Sequence, residues 1–599
     1  MSSLSAFSFS AILVLMGLAL PLQGGASQGV EILEDQAPEP VQQAAHQILD
    51  SFDRDDGPGV VVAVVQDGRM IYQRAVGMAD VGQAVPLSME TRVNIGSVAK
   101  QFTAFTVVHL AQEGRLSLDD DIRDYLPQLP DLGSTVTIRH LLTHTSGYRE
   151  VLNALAIGGW RIEDGDHIGR KEALSVVQNQ PRLQNEPGQE WNYNNTGYML
   201  LALVVEKVTG VPFPEWMEEH VFLPLGMTET RVQADLREIV PRATRGYLPT
   251  EGGFREAPDL GEAMGAGSVY ATAQDLARWM ENLGSGEVGG PEVVEAMATP
   301  FILTNGEASS YGLGLMVDQQ KGLTRWHHPG GDAGHQAHLI YYPEVNAGLI
   351  LMSNHGRLPG SITRQLEELF FGEWMDPRPQ AHVAAEEGSG AVSNPLERDT
   401  LSGKGDDPAF DPDSYEASSF DPFVGRYELQ PGFILTFRRE GERLLTQATG
   451  QPAVDLIPVS DSSFALDGVN ARVTFRTHEE GHVEGLILHQ AGEHFARRLP
   501  EEEDVAPMDL GVFQGRYYSP EFENFLEVEE GGAGLIVRQR RRDPVELTHV
   551  EGDRFVGPFP LLEVVFQRNE SGVVTGVEAS NVRARGITFE RVSWTGGQE

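Results

Sequence analysis

The 599-residue chain contains no cysteine. That excludes disulfide staples, thiol nucleophiles, thiolate metal sites and lipid attachment at an N-terminal cysteine, and it leaves the compartment unread from redox chemistry. Lysine is nearly as scarce. The five lysines, at positions 100, 171, 207, 321 and 404, leave arginine to supply forty of the forty-five basic residues. Basic charge of either kind is short, with 45 bases against 87 acids and a net charge of −42. Such a surface repels nucleic acid and anionic membranes, so neither is expected as a partner. An acid-rich, lysine-poor composition also suits high salt, where ions screen self-repulsion. Membrane-length apolar runs are missing except at the start, where AFSFSAILVLMGLALPL precedes the small residues GGAS. This reads as a secretory signal over residues 1–26, cleaved after Ala26, and predicts a secreted or periplasmic protein. The leader carries no Lys or Arg, so an uncleaved membrane anchor is the alternative.

What is present is a hydrophobic fraction of 40%, ample for packed cores, on a chain long enough for several domains. Residues 59–78, GVVVAVVQDGRMIYQRAVGM, are two strand-like runs around an Asp-Gly turn signal. Helical pieces and long loops fill positions 120–300, among them TIRHLLTHTSG and NTGYMLLALVVEKVTG. Strand patterns return in YGLGLMVD, LTRWHH, HQAHLIYYP and AGLILMSN, followed by a helix pattern, SITRQLEELFFGEW. One sheet built from both ends of residues 27–378 and flanked by helices accounts for this order. Residues 379–420, dominated by Pro, Gly, Ser and Asp, read as a flexible linker. An internal repeat follows. FVGRYEL at 423 returns as FQGRYYS at 513, and VTFRTHEEGHVEGL at 473 returns as VVFQRNESGVVTGV at 564. Two small antiparallel barrels, over 421–500 and 509–599, are expected.

Chemistry concentrates in three places. In ETRVNIGSVAKQFTAFTVVHLAQEGRL, Ser97 stands three residues before Lys100, where Phe102, Phe105, Val108 and Leu110 begin a helical pattern that Gly114 ends. Positions i and i+3 share a helix face, so hydroxyl and amine are neighbours. A capping serine and a solvated lysine would give the same spacing. Yet a chain that otherwise uses arginine keeps lysine here, and only lysine can shed a proton to act as a base. In PGQEWNYNNTGY, Tyr193 sits in a polar loop ahead of an apolar helix. A phenol beside an ammonium is more easily ionised and can take and return a proton. The plainer alternative packs Tyr193 on Trp191 and uses Asn195 or Thr196 as a helix cap. In TRWHHPGGDAGHQAHLIYYP, the run His328-Pro329-Gly330-Gly331 lets backbone N–H groups approach a substrate, on an edge strand that tolerates proline. Four histidines at 327, 328, 335 and 338 raise a metal site, but no carboxylate-plus-histidine helix pattern accompanies them, and no metal or other cofactor is expected. His140 and His144, i and i+4 on a predicted helix, read as core or capping residues.

Taken in order, Ser97-x-x-Lys100, Tyr193-x-Asn195 and His328-x-Gly330 resemble the three motifs of the serine β-lactamase and penicillin-binding-protein superfamily. Tyrosine stands where Ser-Asp-Asn has serine, as in class C β-lactamases, and His328 replaces the third motif's lysine. TIRHLLTHTSG and GAGSVYATAQDLARW are similar to this group as well. The resemblance implies an α/β (α+β) catalytic domain with an antiparallel sheet flanked by helices, and an acyl-enzyme formed at Ser97. It implies that Lys100 and Tyr193 share the proton work and that Asn195 orients Lys100 or a substrate amide. His328 would bind a substrate carboxylate or polarise the tyrosine, and the N–H groups of Ser97 and Gly331, beside Gly330, would form the oxyanion hole. The repeated units resemble the paired eight-stranded, lipocalin-like barrels of D-aminopeptidases, which implies a lid whose barrel loop narrows the site. The expectation is a serine hydrolase cleaving an amide or ester of a small-molecule or peptide substrate: a D-residue peptide, at its amino or carboxyl end, or a small ester. A β-lactam hydrolase is the alternative, and a catalytically silent binding or sensor protein using the barrels is the rival from another class. At about 330 residues, the catalytic unit is expected to fold without residues 421–599.

Overall fold

The structure, a computed structural model, describes residues 37–162, 166–257, 261–375 and 415–592. The last span lacks short stretches at 431–432, 442, 449–452, 467–470, 479–481, 490–492, 500–508, 533 and 541. The expected signal segment and most of the expected linker lie outside the described residues.

Helix α1 (Glu39–Leu49) leads into a hairpin of β1 (Val60–Gln66) and β2 (Arg69–Val76), turned by Asp67 and Gly68, both at positive φ. The helical region contains α2 (Lys100–Gln112), α3 (Ile138–Leu142), α4 (Asn195–Thr209) and α5 (Ala273–Ser285). The chain then returns through β3 (Met316–Gln320), β4 (Leu323–Asp332), β5 (His335–Tyr342) and β6 (Ala347–Ser353) to α6 (Gly360–Phe371). The six strands form one antiparallel sheet in the order β3-β4-β5-β6-β1-β2, and β1 closes on β6 with Val60 opposite Ser353. The sheet is thus built from both ends of the domain. Strands β1 and β6 are apolar except at their last residues, Gln66 and Ser353, because both faces are covered. Val61, Ala63 and Val65 join the core beneath α2 and α5, while Val60, Val62 and Val64 face the second core beneath α1 and α6.

Two closed eight-stranded antiparallel barrels follow, from Gly425–Gln430 to Glu493–Arg498 and from Gly515–Ser519 to Ile587–Val592. The repeated sequence becomes a repeated device. Tyr427 donates to Phe423 O at 3.0 Å, and Tyr517 to Phe513 O at 2.6 Å. Arg498 and Arg591 from the closing strands lie over these tyrosines and donate to the opening turns. The repeated glycine follows from that arrangement. Gly425 and Gly515 have φ near +150, and a Cβ there would press on Arg498 Nε at 3.3 Å or Arg591 Nε at 3.2 Å. The first barrel begins before the expected boundary, since the 3-10 turn Ala417–Phe423 buries Phe420 in its core. Its core is a separate cluster, whereas that of the second barrel is continuous with the catalytic domain's. Arg149, 1% exposed, pairs with Glu521, 4% exposed, at this junction, and Gln539 donates to Ile157 O at 2.7 Å. Length alone predicts an independent catalytic unit, but the shared core ties that unit to the second barrel.

Candidate active site

Ser97 lies in a 3-10 turn, Gly96–Ala99, that runs directly into α2, with Gly96 at φ +50. Asn94 sets the turn: its Oδ1 accepts from Gly96 N at 2.9 Å and its Nδ2 donates to Asp332 at 3.2 Å. One turn on, the fully buried Lys100 Nζ donates to Ser97 Oγ at 3.0 Å, Asn195 Oδ1 at 2.8 Å and Ala266 O at 2.9 Å. Burial pulls the lysine down to about 7, opposed by the Glu150 carboxylate and reinforced by the Arg583 cation. Near neutrality a large share of Nζ is therefore free to accept a proton.

Asn195 opens α4, but Asn194 caps that helix by accepting from Gly197 N at 3.2 Å. The cap is one or two residues earlier than the sequence suggested, and this leaves the Asn195 amide for Lys100 on one side and Glu150 Oε1, at 2.8 Å, on the other. The Tyr193 ring centre lies 4.9 Å from Lys100 Nζ. The expectation of an easily ionised phenol is overturned. Burial raises Tyr193 far more than the neighbouring Ser97 hydroxyl and the Arg583 charge lower it, so the phenol keeps its proton.

The third segment lies on β4. Strand β3 pairs with β4 only as far as His327, whereas β5 pairs with it on through Pro329–Asp332. A Cβ on Gly330 would sit 2.0 Å from Ile95 O and 3.3 Å from Ser97 N, so only glycine lets the strand pass this close to the serine turn. A Cβ on Gly331 would meet nothing within 4 Å. Of the two roles expected for His328, binding a substrate carboxylate or polarising the tyrosine, the first would have to proceed without a positive charge. Its Nδ1 donates to Pro329 O at 2.6 Å and its Nε2 faces the Tyr311 hydroxyl at 3.0 Å, while burial pulls the ring down to about 3. It is neutral, with both nitrogens engaged. The other histidines are scattered: His327 contacts His338 and Asp318, and His335 contacts Thr244.

Three contributors were not assigned to the site from the sequence: Glu150, Arg583 and His144, which was read as a core or capping residue. His144 is not on the helix of His140, because α3 ends at Leu142 and His144 adopts φ +59. Its carbonyl accepts from Asn192 N at 2.8 Å and its Nδ1 from Asn194 N at 3.1 Å, clamping the Tyr193 loop on both sides. His140 does serve as a cap, accepting from Thr137 N. Glu150 holds Asn195 and Asn153. Arg583 comes from the second barrel, in the turn between its last two strands, and its guanidinium lies 4.8 Å from the Tyr193 ring centre. A signal existed for it. Six residues, 581–586, separate those two strands, whereas three separate His489 from Glu493 in the first repeat.

A serine, a lysine able to be neutral and a protonated tyrosine beside the Gly330-Gly331 strand suit acyl transfer. Residues 42–367 match the family model described as Beta-lactamase. The chain belongs to the beta-lactamase family. It is a serine hydrolase. Residues 411–503 match a domain of unknown function (DUF3471), which covers the first barrel. A penicillin-binding protein of Bacillus subtilis (strain 168) is 27% identical over 72% of this chain and 93% of its own length. A D-aminopeptidase of Cereibacter sphaeroides (strain ATCC 17029 / ATH 2.4.9) is 25% identical over 90% of this chain and 96% of its own. Among solved structures, the octameric penicillin-binding protein homologue from Pyrococcus abyssi has a TM-score of 0.51 at 22% identity, covering 76% of this chain and 100% of that one, a likeness of fold.

Proposed function

We propose that this beta-lactamase-family hydrolase is exported and cleaves an amide or ester bond of a D-residue peptide through an acyl-enzyme at Ser97. The three-point hold on Lys100 Nζ carries the reading, because it keeps an otherwise costly buried amine next to the serine. Ser97 Oγ attacks the carbonyl carbon and its proton passes to neutral Lys100. The tetrahedral oxyanion is received by the N–H groups of Ser97 and Gly331, where losing one such donor typically costs ~10² to 10³ in rate. The C–N or C–O bond breaks as Tyr193 gives its proton to the leaving atom, and the Lys100 ammonium restores the phenol. In deacylation, water attacks the acyl carbon, its proton leaves through the same pair, and Ser97 Oγ is reprotonated. The D-residue assignment rests on the relatives named D-aminopeptidase that span nine-tenths of the chain. Mass analysis after brief exposure to p-nitrophenyl acetate is expected to show one acetyl adduct, on Ser97, that is absent from Ser97→Ala. A stoichiometric adduct on another serine would refute the assignment.

A further inference from the structure

The third motif has lost its fixed positive charge. His328 is neutral and its two nitrogens are committed to Pro329 and Tyr311, so it has no cation to offer an anionic substrate group. Lys100 is committed as well, to Ser97, Asn195 and Ala266. The second barrel delivers a replacement. Segment 581–586 is held at the rim by Asn581 Nδ2 to Asn153 O at 3.1 Å, Glu150 N to Arg583 O at 3.3 Å and Arg585 N to Gln184 Oε1 at 3.1 Å. Arg149, buried beneath it, donates to Arg585 O at 3.2 Å and Gly586 O at 2.7 Å. The main chain of Arg583 is therefore fixed, while its half-buried guanidinium projects over Tyr193.

The carboxylates nearby are already occupied. Glu150 holds Asn195 and Asn153, Glu190 pairs with Arg585 at 2.8 Å, Glu521 pairs with Arg149, and Asp332 accepts from Asn94. Among the described residues, the Arg583 guanidinium has no carboxylate partner. An arginine placed in a catalytic cleft of a chain with net charge −42, yet left without an internal anion, is available for an external one. Tyr193 passes its proton to the leaving atom, so a cation over its ring borders the path of the leaving fragment.

We infer that Arg583, carried into the cleft by the second barrel, is the specificity-determining cation of the site and binds a carboxylate on the leaving fragment of the substrate. This rests on the acyl-enzyme reading above. It places the negative charge next to the scissile bond, and it disfavours substrates that bring a free ammonium to the same wall. The second barrel then completes the substrate site as well as covering it.

The test uses the full chain with two N-acetyl-D-alanyl aryl esters, of 3-hydroxybenzoate and of 3-hydroxybenzamide, which differ in the charge of the leaving group. The wild type is expected to favour the benzoate ester in kcat/KM by roughly 10-fold or more, as a charge-assisted bidentate pair would give, and to lose part of that preference in molar NaCl. In Arg583→Gln the preference collapses towards unity, and in Arg583→Lys it is partly kept. Acetylation of Ser97 by p-nitrophenyl acetate reports separately on the acylating centre. If Ser97 is labelled and the wild type shows no preference, or Arg583→Gln keeps it, the inference is overturned while the acyl-enzyme reading stands. If Ser97 is never labelled and neither ester is cleaved, the acyl-enzyme reading fails and takes this inference with it.

Discussion

At Lys100 the same burial that makes the amine expensive also makes it a base. Glu150 and Asp332 push its affinity for a proton up, Arg583 pushes it down, and the neighbouring His144 and His328 are both held neutral by burial. The neutral amine is the working form, so kcat/KM is expected to fall as pH drops through about 7. Removing a cation eases protonation of the lysine, and removing a carboxylate hinders it. Arg583→Gln is therefore expected to move the acid limb to higher pH, and Glu150→Gln to lower pH, by stopped-flow acylation across pH 5 to 9. Equal displacement of both variants in one direction would mean that Lys100 is not the titrating group. Lys100→Arg should cost at least ~10² in turnover, because arginine keeps the charge but cannot cycle the proton. A variant retaining most of its activity would make Lys100 an electrostatic anchor only.

Between residue and domain, the site depends on how closely one strand passes one turn. Gly330 is not at a left-handed backbone angle, so its requirement is space alone: a methyl group there would sit 2.0 Å from Ile95 O. Gly330→Ala is expected to push β4 off the serine turn and slow Ser97 acylation by at least ~10², while the barrels keep their fold. Unchanged acylation would show that the strand can yield without moving the oxyanion donors. The repeated tyrosines give a matched pair elsewhere. Tyr427→Phe and Tyr517→Phe each remove one buried hydrogen bond, and each should cost about 1 kcal/mol in denaturant unfolding. Much of this level was legible in the sequence, for physical reasons. Strands covered on both faces, such as β1 and β6, carry near-continuous apolar runs, an Asp-Gly turn names its hairpin, and a repeat betrays itself by offset. Ser97, Lys100, Tyr193 and Asn195 were legible because their order and spacing are local. Glu150, His144 and Arg583 were not, because each acts through a partner that only the fold brings near. The helix cap at Asn194 was placed one or two residues late, at Asn195 or Thr196, because three asparagines and a threonine compete there, and side-chain geometry alone decides among them.

At the scale of the whole molecule, 87 acids against 45 bases make self-repulsion a standing cost. Many of the arginines are drawn into pairs such as Arg325 with Asp318 and Arg139 with Asp119, and the surplus acids still face one another. The melting temperature is therefore expected to rise between low and molar NaCl as that repulsion is screened, and a flat profile would reject the idea of a chain adapted to high salt.

The two barrels should not be equivalent in stability. The first has its own aromatic core, and its contact with the second includes the small apolar patch of Leu499, Val550, Val556 and Ile434 and ion pairs such as Arg497 with Glu551. The second shares a core with the catalytic domain and neutralises Arg149, a side chain only 1% exposed. Ending the chain at residue 378 would open that core and leave Arg149 without Glu521, the kind of loss that costs several kcal/mol when one member of a buried pair is removed. Deleting residues 415–508, with 509–599 kept, opens the smaller interface, that apolar patch and pairs such as Arg554 with Glu428. Calorimetry is expected to show a far larger fall in melting temperature for the first change than for the second. The shorter chain should also lose the preference between benzoate and benzamide esters, which the second retains. Equal melting temperatures in the two truncated chains would mean that the shared core adds nothing, and that the second barrel is held against the catalytic domain only by its rim.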